Sequence, residues 1–419
     1  MSRDIKNIKG IVIFIGILVI IISSIGVLKL KDNNDDNDIL LKSIINDEDT
    51  STINISKKEK EISITSVGNI LFHDKQIEGA KTLEGYDFTP SFQYIKEAIS
   101  KSDLSIGVLE GTLTKGEDYS GYPCFKSPYE VIDALKNTGL DIINYASNHI
   151  LDGGEEGLFN TLEITKEKGI DVLGIRELKD DKRYIIKEVD GKRIAFLSYV
   201  YESDSINGEP TINTIKIPNN LIGLINTFNY EKLDDFYENV KIDISDVKSE
   251  GADFIILSIH WGEEYESNEN TIQKDIANTL SELGVNIILG SHPHVIQPYE
   301  TIVNSSGEKT FVVYSQGNFL SNQCYEEIQD YRTEDGLLIN FILGYNDNSI
   351  YLKEYEVVPT WVFREEKDGV YSHKVIPLDK DIATFSKGEL NEEFINGAAQ
   401  SLERTMEVIK DWTAGKTEF

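Results

Sequence analysis

Short runs of apolar residues alternate with longer amphipathic segments over most of the chain. The apolar runs are rich in β-branched residues and have strand length: 62–72, 103–111, 140–149, 253–262 and 285–294. Between them, EVIDALKNTG, EEGLFNTLEITKEKG and TIQKDIANTLSELG carry apolar residues at helical spacing and end in glycine, as helices often do. Strands that alternate with helices predict an α/β fold with crossover connections.

Other stretches predict antiparallel hairpins. Asp190-Gly191 separates two β-rich runs within residues 184–201, which is a hairpin signal. PYETIVNSSGEKTFVVYSQGNF and GLLINFILGYNDNSIYLKEYEVVP have the same character. The predicted architecture therefore mixes crossover-linked and hairpin-linked strands, and an amphipathic helix is predicted from about Asn391 to Trp412.

The N-terminus predicts a membrane anchor. Gly10 to Leu28 is free of charged residues and, at about 1.5 Å per helical residue, is long enough to cross roughly 30 Å of hydrocarbon. Arg3, Lys6 and Lys9 precede it, so the positive-inside rule places residues 1–9 in the cytoplasm. A cleaved signal peptide is the alternative, but no small-residue cleavage site is visible. We expect a single-pass protein of the cell membrane whose C-terminal domain is extracellular.

The remaining chain divides into a linker, a folded domain and a helical extension. Residues 30–61 are rich in Asp, Asn, Ser and Lys, and this composition predicts a flexible acidic tether. The main domain is predicted over 62–385 and the C-terminal helical extension over 386–419. A formal net charge of -31 without a basic patch excludes nucleic acid as a partner.

Residues of the types that bind metal ions stand at the carboxyl ends of the predicted strands. The chain has only 6 histidines, yet several stand at these positions, and open α/β sheets present ligands there. The residues concerned are Asn69, Glu110, Asn148, His149, His260, His292 and His294. Imidazoles, amide oxygens and carboxylates suit one or two divalent ions such as Mn, Zn or Fe. His73 is interpreted as an ordinary structural histidine, and His373 as a solvent-facing hairpin residue.

The residues also carry a family resemblance. VGNILFHD, VLEGTLT, SNHILDGGEEG, LSIHWGEEY, GSHPHVIQPYE and YSQGNFLSNQ occur in this order between about Ile62 and Gln323. This series resembles the CapA/PgsA family, membrane-anchored proteins of poly-γ-glutamate capsule synthesis and export. That family in turn resembles the calcineurin-like metallophosphoesterases. The resemblance implies a two-sheet β core flanked by helices (an αββα sandwich), a pair of metals, and partners that include the polymer and its synthase subunits.

The resemblance also assigns roles to individual residues. It implies metal ligation by Asn69, Glu110, Asn148, His260, His292 and His294. His149 would be the acid that protonates a leaving oxygen, and Asp152 and Glu264 would orient it or neighbouring ligands. The chain departs from the pattern at Asn69, where the family usually has Asp, and at Leu71, where phosphoesterases have His.

Three classes of function follow from these observations and stay open at the level of the sequence. The first is a factor of poly-γ-glutamate synthesis or export. The second is an extracellular metal-dependent phosphoesterase acting on an envelope phosphate ester, and the third is a polymer-binding module without catalysis. Cys124 and Cys324 lie in loops beside the motifs, and either a disulfide or two free thiols is consistent with the sequence.

Overall fold

Two packed β-sheets with helices on both outer faces make up the folded part of the chain. The computed structural model describes residues 59–378, 392–410 and 414–419. The predicted cytoplasmic tail, the predicted anchor and the linker up to residue 58 lie outside the described residues. Within the described ranges, no helix combines the length and the apolar character that crossing a membrane requires.

The bounds of the strands and helices are as follows. The strands are β1 (Lys60–Leu71), β2 (Leu104–Glu110), β3 (Thr112–Thr114), β4 (Lys126–Pro128), β5 (Ile142–Asn144), β6 (Asp171–Leu173), β7 (Tyr184–Val189), β8 (Lys192–Tyr201), β9 (Ser203–Ile206), β10 (Glu209–Ile212), β11 (Ile215–Lys216), β12 (Thr227–Phe228), β13 (Phe254–His260), β14 (Ile287–Ser291), β15 (Ile296–Val303), β16 (Lys309–Gln316), β17 (Asn318–Leu320), β18 (Asp335–Tyr345), β19 (Ile350–Lys367), β20 (Val370–Pro377) and β21 (Lys416–Glu418). The α-helices are α1 (Asp74–Gly79), α2 (Lys96–Ser100), α3 (Glu130–Thr138), α4 (Gly154–Lys168), α5 (Leu233–Ser249), α6 (Thr271–Glu282), α7 (Tyr325–Ile328) and α8 (Glu392–Val408). Short 3₁₀ helices cover Thr89–Phe92, Tyr230–Lys232 and Tyr331–Glu334.

Each large sheet combines a parallel part with antiparallel additions. The first has the order β20-β19-β18-β1-β2-β5-β6, with β17 beside β1 and β21 beside β19. In it β1, β2, β5 and β6 are parallel, and β18, β19 and β20 are antiparallel hairpin partners. The second has the order β12-β8-β13-β14-β16-β15, with β7 beside β8; its strands are parallel except β7 and β15.

Alternation along the strands places the core between the sheets. In β8, Ile194 and Phe196 pack toward the first sheet, whereas Ala195 and Leu197 pack against α5 and α6. Apolar residues of α3 and α4 cover the outer face of the first sheet in the same way. Each fully buried Ile or Phe contributes about 1.5–3 kcal/mol, so these three layers of contacts hold the sheets and helices together. The arrangement is the two-sheet core flanked by helices that the resemblance implies.

Several sequence predictions are confirmed at the level of local structure. Asp190 and Gly191, at φ 50° and 77°, form the turn between the paired strands β7 and β8. α3 and α4 end at Gly139 and Gly169, both in the left-handed conformation.

The prediction that His373 faces solvent is wrong. This residue of β20 is 4% exposed, because Asn322 from a distant segment covers it and accepts a hydrogen bond from Nε2 at 2.8 Å.

A buried ion pair attaches the C-terminal helix to the first sheet. The Nε and Nη2 atoms of Arg404 in α8 each donate to a different carboxylate oxygen of Asp335 in β18, at 2.8 Å. Ser401 donates to the same carboxylate at 2.5 Å. Burial raises the pKa of Asp335 to about 6, against the opposing effect of Arg404 and Ser401. The ion pair therefore contributes little net free energy of folding. The larger effect comes from removing one partner, which leaves the other charge buried and unpaired.

Replacing Arg404 by Met is expected to lower the free energy of unfolding by about 3 kcal/mol, because it leaves the Asp335 carboxylate buried without its partner. Urea unfolding followed by tryptophan fluorescence measures this loss, since Trp361 packs on Phe394 of α8 with ring centroids 5.6 Å apart. The double variant Arg404→Met with Asp335→Asn should recover most of it. Equal stability of the single variant and the wild type would show that the pair does not anchor α8.

Candidate metal centre

The predicted site residues meet at one edge of the two sheets. Glu110 is the last residue of β2, His260 is the last residue of β13, and His292 directly follows β14. Because these strands run parallel within their sheets, their carboxyl ends lie at the same edge, as predicted. The structure brings Glu110, His260 and His292 together, with potential ligand atoms within 4.8 Å of one another.

The Glu110 carboxylate is the centre of this cluster. It is 1% exposed, and neither of its oxygens has a hydrogen-bond partner. Its Oε1 atom lies 3.8 Å from His260 Nε2 and 3.7 Å from His294 Nε2. Burial raises the pKa of Glu110 to about 8, Glu264 and Asp152 act in the same direction, and His149 opposes them. A buried carboxylate without a partner is costly, and a bound cation is the direct remedy.

Polar neighbours orient each imidazole of the cluster. His260 Nδ1 lies 3.0 Å from Ser291 Oγ, and its Nε2 lies 2.9 Å from Asn148 Oδ1. His292 Nε2 lies 3.2 Å from the Tyr201 hydroxyl, while its buried Nδ1 has no partner. The contacts of Ser291 and Tyr201 are outer contacts of the kind that fix the ring orientation of metal-binding histidines. Asn148 Oδ1 instead lies at the His260 nitrogen that faces Glu110. Burial, reinforced by the neighbouring imidazoles, lowers the pKa of both rings well below the usual range, which favours the neutral form that binds metal.

Asn318 determines the tautomer of His294. Its Nδ2 donates to Gln323 Oε1 and to the Thr333 carbonyl at 2.9 Å each, so its Oδ1 faces His294 Nδ1 at 3.0 Å as an acceptor. The proton of His294 therefore lies on Nδ1, and Nε2 presents a lone pair toward Glu110. The motif YSQGNF contains Asn318, but sequence reasoning assigns it no role, because only the pairing of β17 with β1 places it here. Sequence reasoning also misses Tyr201 and Ser291, which reach the cluster through the pairing of β13 with β8 and β14.

Asn69 lies beside His294 at the flank of the cluster. It is fully buried, its Nδ2 is 3.3 Å from His294 Nδ1, and its Oδ1 has no partner. A bulge in β1 and Gly68 bring it there; a Cβ at Gly68 would lie 2.2 Å from the Gly317 carbonyl oxygen. Leu71 is a core residue. In the described part of the chain, no second group of three His, Cys, Asp or Glu side chains comes together as Glu110, His260 and His292 do.

The turn that carries the two histidines is conformationally unusual. His292 and His294 have φ values of 102° and 60°, in a region that side chains other than glycine rarely adopt. Tyr265, itself at φ 65°, donates its backbone N–H to the Pro293 carbonyl at 2.8 Å and holds this turn. Strained backbone of this kind costs about 1–3 kcal/mol per residue and clusters at functional sites.

His149 is paired with Asp152 beside the cluster. Its Nδ1 lies 2.7 Å from Asp152 Oδ2, which also accepts the Phe125 backbone N–H at 2.6 Å. Burial alone would lower the pKa of His149, but the Asp152 hydrogen bond and the charges of Glu110, Asp152 and Glu264 raise it above its ordinary value. The pair therefore has the arrangement of an oriented acid. Glu264 lies on the exposed side and acts on His149 through its charge.

His73 flanks the cluster and does not join it. Its ring meets Phe125 edge-on with centroids 4.9 Å apart, and its Nε2 lies 3.3 Å from Ser321 Oγ. Burial lowers the pKa of His73 to about 3, and His294 and His149 contribute to the shift.

Cys124 is an exposed free thiol and Cys324 a buried one, so the structure has no disulfide between them.

Asn69→Asp is expected to raise the affinity for a divalent metal ion by about tenfold, because it places an anionic oxygen next to the cluster. In the metal-free chain the same change buries a second unpaired carboxylate and should lower stability by about 1–3 kcal/mol. Metal titration followed by calorimetry, with thermal unfolding before and after loading, measures both effects. The matched control is Asn69→Leu, which adds no charge. Unchanged affinity in Asn69→Asp would place this side chain outside the reach of the ion.

Comparison with known proteins places the geometry in a family context. Residues 63–323 match the family described as bacterial capsule synthesis protein PGA_cap. The capsule biosynthesis protein CapA of Bacillus anthracis is 28% identical over 312 residues, which cover 72% of this chain and 68% of that protein. The PGA biosynthesis protein CapA of Bacillus subtilis strain 168 is 27% identical over 303 residues, which cover 71% of each. The calcineurin-like phosphoesterase YfkN from Bacillus subtilis aligns in structure with a TM-score of 0.40 and 17% identity, covering 84% of this chain and 100% of that chain.

Proposed function

Because the chain belongs to the bacterial capsule synthesis protein PGA_cap family, we propose that it takes part in poly-γ-glutamate capsule synthesis through a metal-dependent hydrolytic centre. The observation that carries this proposal is the Glu110 carboxylate. It is buried, both of its oxygens lack a hydrogen-bond partner, and imidazole nitrogens of His260 and His294 lie within 3.8 Å of one of them.

The residues present fit a divalent ion such as Mn, Zn or Fe. Glu110, His260 and His292 would hold it, with Asn148 and His294 next to them. When bound, such an ion polarises a phosphoryl oxygen and activates water as a nucleophile. The ion also supplies positive charge to a chain whose net charge is -31, which offsets repulsion of an anionic substrate.

His149 performs the proton transfer in this proposal. Asp152 holds its Nδ1, so the proton on Nε2 is the one available to a leaving oxygen. Hydrolysis replaces the bond between phosphorus and the leaving oxygen by a bond to a water oxygen. The leaving oxygen takes the proton from His149, and a proton of the water restores His149. The bond acted on in this proposal is a phosphate ester of the cell envelope.

The charge-free segment Gly10 to Leu28 supports a location for this reaction at the cell membrane. The segment anchors the chain in the cell membrane, and the folded domain lies on the extracellular side beside the subunits of a polymer synthase. A polymer-binding module without catalysis is the second candidate, and one observation favours it: Asn69 lacks the charge that the family pattern has at this position. Turnover of a phosphodiester by the metal-loaded chain separates the two.

The test of the proposed function is made in the cells that produce this protein. A strain that carries Glu110→Gln should lose poly-γ-glutamate from its surface, while a strain that carries Glu266→Gln, an exposed carboxylate outside the cluster, should keep it. Immunoblotting establishes that both variants accumulate to the wild-type level. Normal polymer in the Glu110→Gln strain would overturn the proposal.

A further inference from the structure

A cavity beside the metal centre shares a wall segment with it. It has a volume of about 380 Å³ and is lined in part by residues 321–324. The same segment reaches the centre, because Gln323 Oε1 accepts the Asn318 amide that orients His294, at 2.9 Å. Ser321 Oγ lies 3.3 Å from His73 Nε2, and His73 flanks the cluster. One end of the cavity is therefore adjacent to the flank of the metal centre.

The cavity combines an aromatic floor with amide side chains. Trp361 and Phe363 form the floor, with ring centroids 5.2 Å apart, and Tyr331 lies at its side. Gly397 in α8 allows the helix to pack on the indole, since a Cβ there would lie 2.6 Å from the Trp361 ring. The amides that line the cavity are Asn322, Gln323, Asn396 and Gln400. Asn396 and Gln400 are exposed and can contact both the N–H and the C=O of an amide bond, which a purely apolar pocket cannot do. Gln323 is already bonded to Asn318 and Tyr265, and the Asn322 oxygen to His373.

The lining also includes charged and titratable side chains: Arg364, Arg404, Glu326, Glu334 and His373. The Arg364 guanidinium donates to Cys324 Sγ at 2.8 Å and pairs with Glu326, whose side chain is 62% exposed. An incoming carboxylate can therefore replace the exposed Glu326 at Arg364. His373, 4% exposed, also lines the cavity, and its Nδ1 has no partner.

We infer that this cavity binds a short run of a γ-linked glutamate chain beside the metal centre. The inference rests on the proposed function for the identity of the polymer. Each repeat of such a chain has methylenes for the aromatic floor, an amide bond for the side-chain amides and a carboxylate for Arg364. The cavity volume lies within the range of small-ligand sites.

The experiment measures binding of γ-linked hexaglutamate to the purified, metal-loaded full chain in detergent by titration calorimetry. Asn396→Trp fills the cavity from an exposed position of α8 and should weaken binding by about tenfold or more. Its neighbour Ile395→Trp, 48% exposed and outside the lining, is the matched control and should change affinity less than about twofold. Equal affinities of Asn396→Trp and the wild type would overturn the assignment.

Two further ligands test the chemical class. α-Linked hexaglutamate carries the same charge on a different backbone and should bind more weakly; equal binding would reduce the site to charge recognition and overturn the inference. Binding of a neutral oligosaccharide in place of hexaglutamate would overturn it as well. Metal content and phosphodiester hydrolysis are measured on the same samples. A chain that holds metal and hydrolyses but does not bind hexaglutamate contradicts only this inference, whereas one that binds hexaglutamate without metal contradicts only the hydrolytic centre.

Discussion

Replacing Glu110 by Gln is expected to weaken metal binding by about 100-fold or more and, at the same time, to stabilise the metal-free chain. The loss follows because the variant lacks the carboxylate that faces His260 and His294. The gain follows because burial forces the folded wild type to hold a proton at Glu110 that the unfolded chain has released at neutral pH, and a neutral amide avoids this cost of about 1–3 kcal/mol. Calorimetric metal titration and urea unfolding of the dialysed proteins measure the two effects.

The pH dependence of the metal-free chain gives this prediction a second readout. The pKa of Glu110 is raised in the folded state to about 8, so the folded chain holds its proton where the unfolded chain has released it. Stability of the wild type should therefore fall as the pH rises from the ordinary glutamate range toward 8, and level off above it. Glu110→Gln should lack this slope. A variant that loses stability and keeps its metal affinity would contradict the role of Glu110.

His149→Ala is expected to lower the rate of phosphodiester hydrolysis by about 10²–10⁴-fold for a substrate with an alkyl leaving group, with metal content unchanged. A nitrophenyl leaving group needs little protonation, so its hydrolysis should fall far less. Steady-state rates on the two substrates, measured on the same metal-loaded preparations, provide the comparison. The contrast distinguishes an acid from a residue that only supports the fold.

Asp152→Asn is the companion variant. It keeps the size of the side chain but removes the charge that holds His149 Nδ1, so it should reproduce part of the loss with the same dependence on the leaving group. Equal losses on both substrates, or loss of metal together with activity, would show that His149 does not act as the acid.

The convergence of the site residues can be predicted from sequence because it depends on local pattern. Parallel strands present their carboxyl ends at one edge, so the order of strands and helices along the chain is enough to group Glu110, His260 and His292. The contacts that orient them cannot be predicted in this way. Tyr201 lies 91 positions from His292, and Asn318 reaches His294 only through the pairing of β17 with β1.

The error at His373 has the same origin. Alternation along a hairpin predicts which face a residue occupies but not what covers that face, and residues 321–324 cover His373 from a different part of the chain. The cavity beside the metal centre cannot be predicted for the same reason. Its floor comes from β19, and its amides come from α8 and the 321–324 segment.

Elemental analysis of the purified full chain tests whether the Glu110 and histidine cluster holds a divalent metal ion. We expect about one bound divalent ion per wild-type chain and almost none in the double variant His292→Ala with His294→Ala, whose circular dichroism should match the wild type. The same metal content in both proteins, or none in a folded wild type loaded with Mn or Zn, would contradict it.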